Sequence, residues 1–419
     1  MGQLSSYSLA DPETAICPFN YYKAMREEAP VHLDPKIGAY LVTRYDDIAS
    51  ALRQPLVFSS RQGFIEQLRK EYTPELDELM TREGYGPIQV AVWDPPEHTR
   101  MRALMDKAFT AHRVAAMEDY ITQITNDLID EFIDDGTVDI VKRLAIPIPV
   151  YVIADQLGVS REDIDDFKRW SDAAVEPLGG LITKERDFEC AREMIQLQHY
   201  LKKQIDDRRA NPRDDMISDL VHARIDDPEK SALELDDLFT VIRALLVAGN
   251  ETTTNAISSG VMLLCRHPEI VEKIRTSANQ NKALMFLCEE ILRLESPVPG
   301  LPRFTTQDVE LGGTLIPKGS PVLLCYASAN RDESRFECPE KFDPERKNAA
   351  QHQAFGGGIH RCIGASLARM EIKCALREVV RRMDDIRLAV PENELRYGPS
   401  IVTRGLLSLP IRFSKRTVA

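Results

Sequence analysis

The sequence predicts a mainly α-helical protein with small β-sheets, an α+β fold. Apolar residues recur at helical spacing through most of the chain, and short β-type runs between glycine- and proline-containing turns occur in two places. No internal repeat or Gly/Ser linker divides the chain. We therefore expect a single domain over 1–419, with a β-containing lobe (approximately 30–60 and 300–330) and a helical lobe (approximately 97–295 and 364–383).

The elements follow from local patterns in chain order. The first β-rich patch is Val31–Leu33 and Ala39–Thr43, joined by an Asp-Pro-Lys-Ile-Gly turn. The second patch contains three runs broken by glycine and proline turns: Val309–Leu311, Thr314–Ile316 and Val322–Tyr326. Helical patterns cover these approximate ranges: 97–134, 140–157, 161–175, 185–208, 234–265, 268–278, 281–295 and 364–383.

Composition excludes several classes of protein. The 419 residues are 43% hydrophobic and 28% charged, which is typical of a folded globular chain. The net charge of −13 argues against nucleic-acid binding. The N-terminus does not resemble a signal peptide and there is no run of about 18 apolar residues, so we expect no membrane span and a cytoplasmic location. The eight cysteines form no CxxC pair, which argues against a zinc knuckle or a disulfide scaffold.

One cysteine stands apart from the others. Residues 355–369 read FGGGIHRCIGASLAR, so three glycines precede Cys362 and a helical pattern follows it. Glycine at this density allows the backbone to approach a flat, bulky group, and a helix N-terminus favours a thiolate. A buried structural cysteine is the alternative, and it is what we expect for the other seven.

The pattern Phe-x-x-Gly-x-x-x-Cys-x-Gly resembles the haem-ligand signature of the cytochromes P450, the haem-thiolate monooxygenases. The resemblance implies the P450 fold of the soluble bacterial type, with haem b between the long central helix and the helix after the cysteine loop. It implies that the Cys362 thiolate is the axial iron ligand. Phe355 would lie near the sulfur, and Gly356, Gly358 and Gly364 would allow the backbone to approach the ring.

A second motif, Ala248-Gly249-Asn250-Glu251-Thr252-Thr253, lies within the long apolar helix. An acid beside a threonine is unfavourable in mid-helix unless it has a local role; an exposed surface turn is the alternative. By resemblance, Thr252 would hydrogen-bond bound oxygen and Glu251 would relay protons. Ala248 and Gly249 would leave space for the oxygen.

Glu290 and Arg293 form a Glu-x-x-Arg sequence, and Arg346 follows in Phe-Asp-Pro-Glu-Arg. Glu/Arg pairs three residues apart are common on helices, so this spacing alone is weak. The resemblance implies that the three residues form a buried network that supports the haem-side core.

Four basic side chains are candidates for the haem propionates, which need charged partners. The resemblance places His98 and Arg102 there, and adds Arg303 and His360. Many family members have Trp-x-x-x-Arg where this chain has His98 and Arg102. The alternative for that segment is a capped, solvent-facing helix start.

The resemblance also locates a substrate pocket. Loops at about 60–92 and 175–190 would contribute, together with Ala244, Val247, Ala248, Val298 and Ile401. These side chains are small or aliphatic, so we expect a lipophilic substrate that is terpenoid, steroid or fatty-acid-like.

The predicted activity is hydroxylation with O2, by a monomer that receives electrons from NAD(P)H through a ferredoxin reductase and a ferredoxin. No redox module is expected within this chain, nor an N-terminal anchor. A peroxide-driven peroxygenase is the nearest alternative, although such enzymes tend to lack the acid–alcohol pair that Glu251 and Thr252 form. A non-catalytic haem-binding sensor and a helical scaffold without cofactor are further alternatives.

The charge is unevenly distributed. Residues 355–382 contain six basic and two acidic side chains, a net charge of +4, and residues 98–113 contain four and one, a net charge of +3. In the family these segments flank the cysteine side of the haem. The pattern therefore predicts a basic docking face for an acidic ferredoxin.

Overall fold

The computed structural model describes residues 4, 7–60, 72–87, 93–179, 182–227, 230–398 and 400–417. Over these ranges the chain is mainly helical with three small β-sheets, which confirms the predicted α+β class. Within the described part of the chain, every helix is too short or too polar to cross a bilayer.

The helices carry the labels used below. They are α1 (Pro12–Ile16), α2 (Phe19–Glu28), α3 (Tyr45–Leu52), α4 (Thr73–Glu83), α5 (Glu97–Ala108), α6 (Ala111–Ala116), α7 (Glu118–Asp130), α8 (Pro147–Gln156), α9 (Ile164–Val175), α10 (Lys184–Ala210), α11 (Met216–His222), α12 (Leu235–Arg266), α13 (Pro268–Thr276), α14 (Gln280–Leu294), α15 (Tyr326–Ala329) and α16 (Ala365–Arg382).

The strands are β1 (Val31–Asp34), β2 (Ala39–Val42), β3 (Phe58–Ser59), β4 (Thr137–Asp139), β5 (Leu301–Thr305), β6 (Val309–Leu311), β7 (Thr314–Ile316), β8 (Pro321–Leu324), β9 (Met383–Leu388) and β10 (Pro410–Lys415). The largest described sheet has the order β1-β2-β8-β5-β3. A second has the order β4-β10-β9, and β6 pairs with β7.

Contacts group the chain into two compact units. The first comprises 1–60, 116–148 and 252–419, and the second comprises 61–115 and 149–251. The prediction of one domain with two lobes stays a prediction.

The first unit contains all the described strands. In its five-stranded sheet β8 runs parallel to β2, with Leu323 opposite Leu41, and antiparallel to β5, with Val322 opposite Arg303. This register fixes Arg303 in a strand. Buried Leu324, together with Ile48 of α3, belongs to the apolar core behind the sheet.

The second unit is helical in its described part. The Thr183 hydroxyl caps α10 by accepting from the Arg186 N–H, and the Asp215 carboxylate caps α11 in the same way at Ser218. Asp215 also accepts from the buried Arg208 guanidinium over 2.9 Å. The caps explain why both helices begin where they do.

Two predicted helical ranges are interrupted. The 97–134 pattern divides into α5, α6 and α7, because Thr110 turns the chain and its hydroxyl accepts from the Arg113 N–H. The 140–157 pattern divides into a π-helical turn at Val141–Ala145 and then α8. Pro147 begins α8, and since proline lacks an N–H it cannot continue the preceding helix.

Several strands differ from the sequence interpretation, which does not predict β3, β4, β5, β9 or β10. β5 contains Pro302, and β9 follows α16 with no turn residue between them. The predicted strand Val322–Tyr326 ends at Leu324, because Tyr326 already begins α15.

A carboxyl group is buried between two helices of the first unit. Glu371 of α16 is 3% exposed. Burial raises the pKa of Glu371 to about 8, although a hydrogen bond from the Thr253 hydroxyl of α12 acts in the opposite direction. The neutral form therefore stabilises the fold below the ordinary pKa of 4.5, and that stabilisation is lost as the pH rises through about 8.

We expect Glu371→Gln to raise the thermal unfolding midpoint by several degrees at about pH 9 and to change it little at about pH 5, because the amide removes the buried charge that forms only at high pH. Calorimetry across this pH range measures the effect. Glu378→Gln is the matched control on the same helix. Its carboxylate pairs with Arg377 and Arg381, so we expect a lower midpoint at both pH values. A difference between Glu371→Gln and wild type that did not depend on pH would contradict the assignment.

Candidate functional site

The segment around Cys362 is an exposed loop that leads into a helix. The chain makes a 3₁₀ turn at Gly358–His360 and enters α16 at Ala365. The Cys362 N–H donates to the Phe355 carbonyl over 3.0 Å, while the Cys362 side chain is exposed. Because the loop ends at the N-terminus of an 18-residue helix, the positive end of the helix dipole favours the thiolate form of the cysteine.

Glycine is required in this loop for steric reasons. Gly356 and Gly358 have φ angles of +63° and +60°, in the left-handed region. A Cβ atom at position 358 would lie 2.2 Å from the carbonyl oxygen of Leu52. At Gly364 the nearest atom to such a Cβ would be the Cys362 sulfur, at 4.0 Å. The loop therefore packs tightly against the end of α3 at Gly358, whereas at Gly364 there is space beside the Cys362 sulfur.

Phe355 is held by a group of side chains that the sequence analysis does not identify. The Arg369 guanidinium carbon lies 4.4 Å from the centre of the Phe355 ring, and the His352 ring centre lies 5.6 Å away. Glu289 of α14 contacts both bases, with 3.0 Å to Arg369 Nη2 and 3.2 Å to His352 Nε2. We call these three residues, Glu289, His352 and Arg369, the Phe355 clamp.

The clamp has a defined charge state. Glu289 is largely buried, which alone would raise its pKa, but the contacts with His352 and Arg369 prevail and lower the pKa of Glu289 to about 2. Burial lowers the pKa of His352, and its Nδ1 accepts from the Ala354 N–H, so the ring is neutral with its proton on Nε2. Glu289 is thus charged at neutral pH, is hydrogen-bonded to the cationic Arg369 and lies 3.2 Å from the Nε2 atom of the neutral His352.

Arg303, a predicted propionate partner, is a buried cation without an acid. It is 6% exposed and takes part in none of the ion pairs among the described residues. Its Nη1 donates to the Pro302 carbonyl over 2.7 Å, and it hydrogen-bonds the Tyr326 hydroxyl. A buried guanidinium bonded only to neutral oxygens suits an anionic ligand. His360, the other candidate in this unit, lies 3.1 Å from the Ser60 hydroxyl through Nε2.

The structure brings Glu290, Arg293 and Arg346 together. Both Glu290 and Arg293 are fully buried, and the Glu290 carboxylate accepts two hydrogen bonds from Arg293, at 2.7 and 2.8 Å. The same carboxylate accepts from Arg346 Nε at 3.2 Å and from the Asp343 N–H at 2.9 Å. Arg293 also donates to the carbonyls of Asn330 and Pro339, so the network ties the segment before the cysteine loop to α14.

The centre of α12 has an accessible stripe along an otherwise buried helix. Ala248 is exposed and the side chains one turn to either side are half-buried, whereas Leu245 and Leu246 are buried. The half-buried positions are Ala244, Val247, Gly249, Glu251 and Thr252. Their spacing of three and four residues places them on one face. A Cβ atom at Gly249 would meet nothing within 4 Å.

The second unit carries the other two predicted propionate partners. His98 is 8% exposed in the first turn of α5, and Arg102 donates to Asp106 one turn further on, over 2.9 Å. Burial and then the neighbouring Arg102 lower the pKa of His98, which keeps the imidazole neutral near pH 7. His98 therefore suits hydrogen-bond donation better than charge pairing.

The remaining predicted pocket residues are less informative. Val298 packs against the core of the first unit, and Ile401 is 39% exposed. Of the two predicted pocket loops, 61–71, 88–92 and 180–181 lie outside the described residues.

The two basic segments are largely neutralised by acids from elsewhere in the chain. Five basic side chains of 355–382 form ion pairs with described residues of the first unit. These pairs are Arg369–Glu289, Lys373–Glu118, Arg377–Glu118, Arg381–Glu378 and Arg382–Asp130. In 98–113, Arg100 pairs with Asp237 and Arg113 with Asp219. The sequence count therefore overstates the positive charge of these surfaces.

The residues around Cys362 fit a haem held by a single thiolate. The sulfur is accessible in a loop whose glycines keep side chains away from it. A haem-thiolate iron takes a single cysteine as its protein ligand, and Cys362 would supply it. Arg303 would meet a propionate.

Comparison with known proteins gives consistent matches. A family model described as cytochrome P450 matches residues 181–386. Cytochrome P450 107B1 of Saccharopolyspora erythraea is 36% identical over 402 residues, which cover 94% of each chain.

Solved structures match over nearly the whole chain. CYP109E1 from Bacillus megaterium in complex with testosterone has a TM-score of 0.79 at 36% identity, covering 94% of this chain and 99% of that one. P450BioI in complex with an acyl carrier protein ligated to hexadec-9Z-enoic acid has a TM-score of 0.85 at 28% identity, covering 97% and 100%.

We expect Glu290→Gln to destabilise the fold by about 3–5 kcal/mol, because it leaves the buried Arg293 without a carboxylate. Urea unfolding followed by circular dichroism measures this free energy. The matched control is Glu272→Gln, which removes the exposed partner of Arg275 and is expected to cost at most about 1 kcal/mol. Equal effects of the two substitutions would show that the Glu290 network is not needed for stability.

Proposed function

Because the chain belongs to the cytochrome P450 family, and is therefore a P450 monooxygenase, we propose that it hydroxylates a lipophilic small molecule with O2 and electrons from a ferredoxin. The observation that carries the site assignment is the exposed Cys362 sulfur, in a glycine-constrained loop at the N-terminus of α16. Haem, when bound, supplies O2 activation and one-electron chemistry.

We propose the following contacts between side chains of the protein and the haem. Cys362 Sγ would bind the iron, and the Phe355 clamp sets the position of the Phe355 ring next to that sulfur. Arg303, His360, His98 and Arg102 would bind the propionates. The fit is strongest for Arg303, since it is buried without an acid.

Glu251 and Thr252 form a proton relay from solvent to the reaction site. Thr252 Oγ1 would hold a proton toward the O2 that haem activates and pass it on, and the Glu251 carboxyl would replace that proton from solvent. Both side chains are half-buried on the accessible stripe of α12, which supports this role, because a relay needs both solvent and the reaction site.

The substrate is terpenoid, steroid or fatty-acid-like. Small side chains at Ala244 and Val247 leave room on the accessible stripe of α12 for an apolar body, and Val298 and Ile401 add aliphatic surface. The testosterone complex of CYP109E1 and the fatty-acyl complex of P450BioI support the steroid and fatty-acid classes.

The redox partners are a ferredoxin and its NAD(P)H-dependent reductase, and the enzyme acts as a cytoplasmic monomer. The ferredoxin docks near residues 355–382 and 98–113. Since most basic side chains there are already paired with acids, we expect only a modest effect of salt on its association.

Cys362→Ser should abolish the red-shifted Soret band of the reduced carbonyl complex, because a hydroxyl does not supply a thiolate. Absorption spectroscopy of the haem-loaded protein is the measurement. Cys338→Ser, which changes another exposed cysteine, is the control and should keep the band. Persistence of the band in Cys362→Ser would overturn the ligand assignment.

Thr252→Ala should keep NAD(P)H consumption but divert more than half of it to hydrogen peroxide, because bound oxygen loses its hydrogen-bond donor. The ratio of product to NAD(P)H consumed measures coupling. Thr276→Ala, at an exposed position at the end of α13, should leave the ratio unchanged. Full coupling in Thr252→Ala would contradict the proton relay.

A further inference from the structure

Arg243 is a half-buried cation in the first third of α12 that the proposed chemistry does not use. It takes part in none of the ion pairs among the described residues. Its one described hydrogen bond runs from Nη2 to the Ala174 carbonyl in the last turn of α9, over 3.2 Å. A backbone carbonyl at a helix C-terminus offers only a partial negative charge. The guanidinium has five N–H donors, so most of its hydrogen-bonding capacity is available to a ligand.

The fully buried arginines Arg208 and Arg293 and the largely buried Arg26 each have a carboxylate partner. Arg208 bonds Asp215, Arg293 bonds Glu290, and Arg26 bonds Glu333. Withdrawing a guanidinium from water without a carboxylate is unfavourable. Arg303, which is proposed to bind a haem propionate, resembles Arg243 in that no described carboxylate pairs with it. The comparison indicates that Arg243 too has an anionic partner from outside the protein.

The location of Arg243 points to the substrate. It is only half-buried by accessible surface, and burial lowers its pKa with no acid acting in the opposite direction. A half-buried guanidinium keeps surface that a ligand can reach. Its neighbours Ala244 and Val247, one and four residues along the helix, belong to the accessible stripe.

We propose that Arg243 binds an oxyanion, a carboxylate or a phosphate monoester, at the polar end of an otherwise apolar substrate. This proposal rests on the proposed function and narrows its substrate class to amphipathic acids. Arg243 precedes Glu251 by eight residues, which is about 12 Å along the helix axis. The oxidised carbon is therefore remote from the acid group, and a bidentate pair with the guanidinium fixes which carbon is presented.

The test is binding of matched probes to the haem-loaded protein, measured by calorimetry and by the spectral shift of the haem. The probes are dodecanoate, dodecyl phosphate and the neutral methyl dodecanoate. The variants are Arg243→Gln and Arg243→Lys. Arg209→Gln, which changes an exposed arginine of α10, is the control. The carbonyl spectrum of each variant reports the haem site separately, so a failure of the proposed function is seen independently of the binding result.

We expect wild type to bind at least one of the two anions at least tenfold more tightly than the ester. Arg243→Gln should lose this preference and change the dissociation constant of the ester less than twofold, and Arg243→Lys should keep part of the preference. The preferred anion identifies carboxylate or phosphate as the natural group. Equal weakening of anion and ester in Arg243→Gln would overturn the proposal, because Arg243 would then only support α9. No preference for either anion, or no binding of any probe by wild type, would also overturn it.

Discussion

Two adjacent carboxylates, Glu289 and Glu290 of α14, hold the surroundings of the cysteine loop in place. Glu290 bonds Arg293 and Arg346 and so fixes the chain before the loop. Glu289 bonds His352 and Arg369, which enclose the Phe355 ring. The Phe355 carbonyl in turn accepts from the Cys362 N–H. Because the Cys362 side chain is exposed, the position of its loop depends on the residues around it, and these two carboxylates hold those residues in place.

The long helix α12 is subject to a second constraint. Most of it is buried in apolar surroundings, yet its central turns carry Gly249, Glu251 and Thr252, which weaken a helix. These residues coincide with the accessible stripe. The helix is thus less stable locally at the turns where the proposed function needs small side chains and a proton relay, and the buried turns on either side compensate for it.

The sequence analysis succeeds where the signal is local. Short sequence patterns mark the cysteine loop, the centre of the long helix and the Glu-x-x-Arg pair. Each pattern is enough to predict the loop or helix in which it lies. The Phe355 clamp and the last two strands depend on partners far apart in the chain, which no local pattern reveals. The charge predicted for the basic segments is too high for the same reason. Lys373 and Arg377 both pair with Glu118, which lies on a helix far away in the sequence. That none of the described acids pairs with Arg243 can be seen only once the chain is folded.

The close approach of Gly358 to Leu52 has a consequence for engineering this enzyme. A mutagenesis library that varies the cysteine loop has no usable alternative at position 358, because any side chain would collide with backbone rather than with a movable group. At Gly364 an added methyl group would meet the sulfur only at van der Waals distance. Variation at 364 therefore tunes the surroundings of the thiolate, whereas variation at 358 displaces the loop from α3.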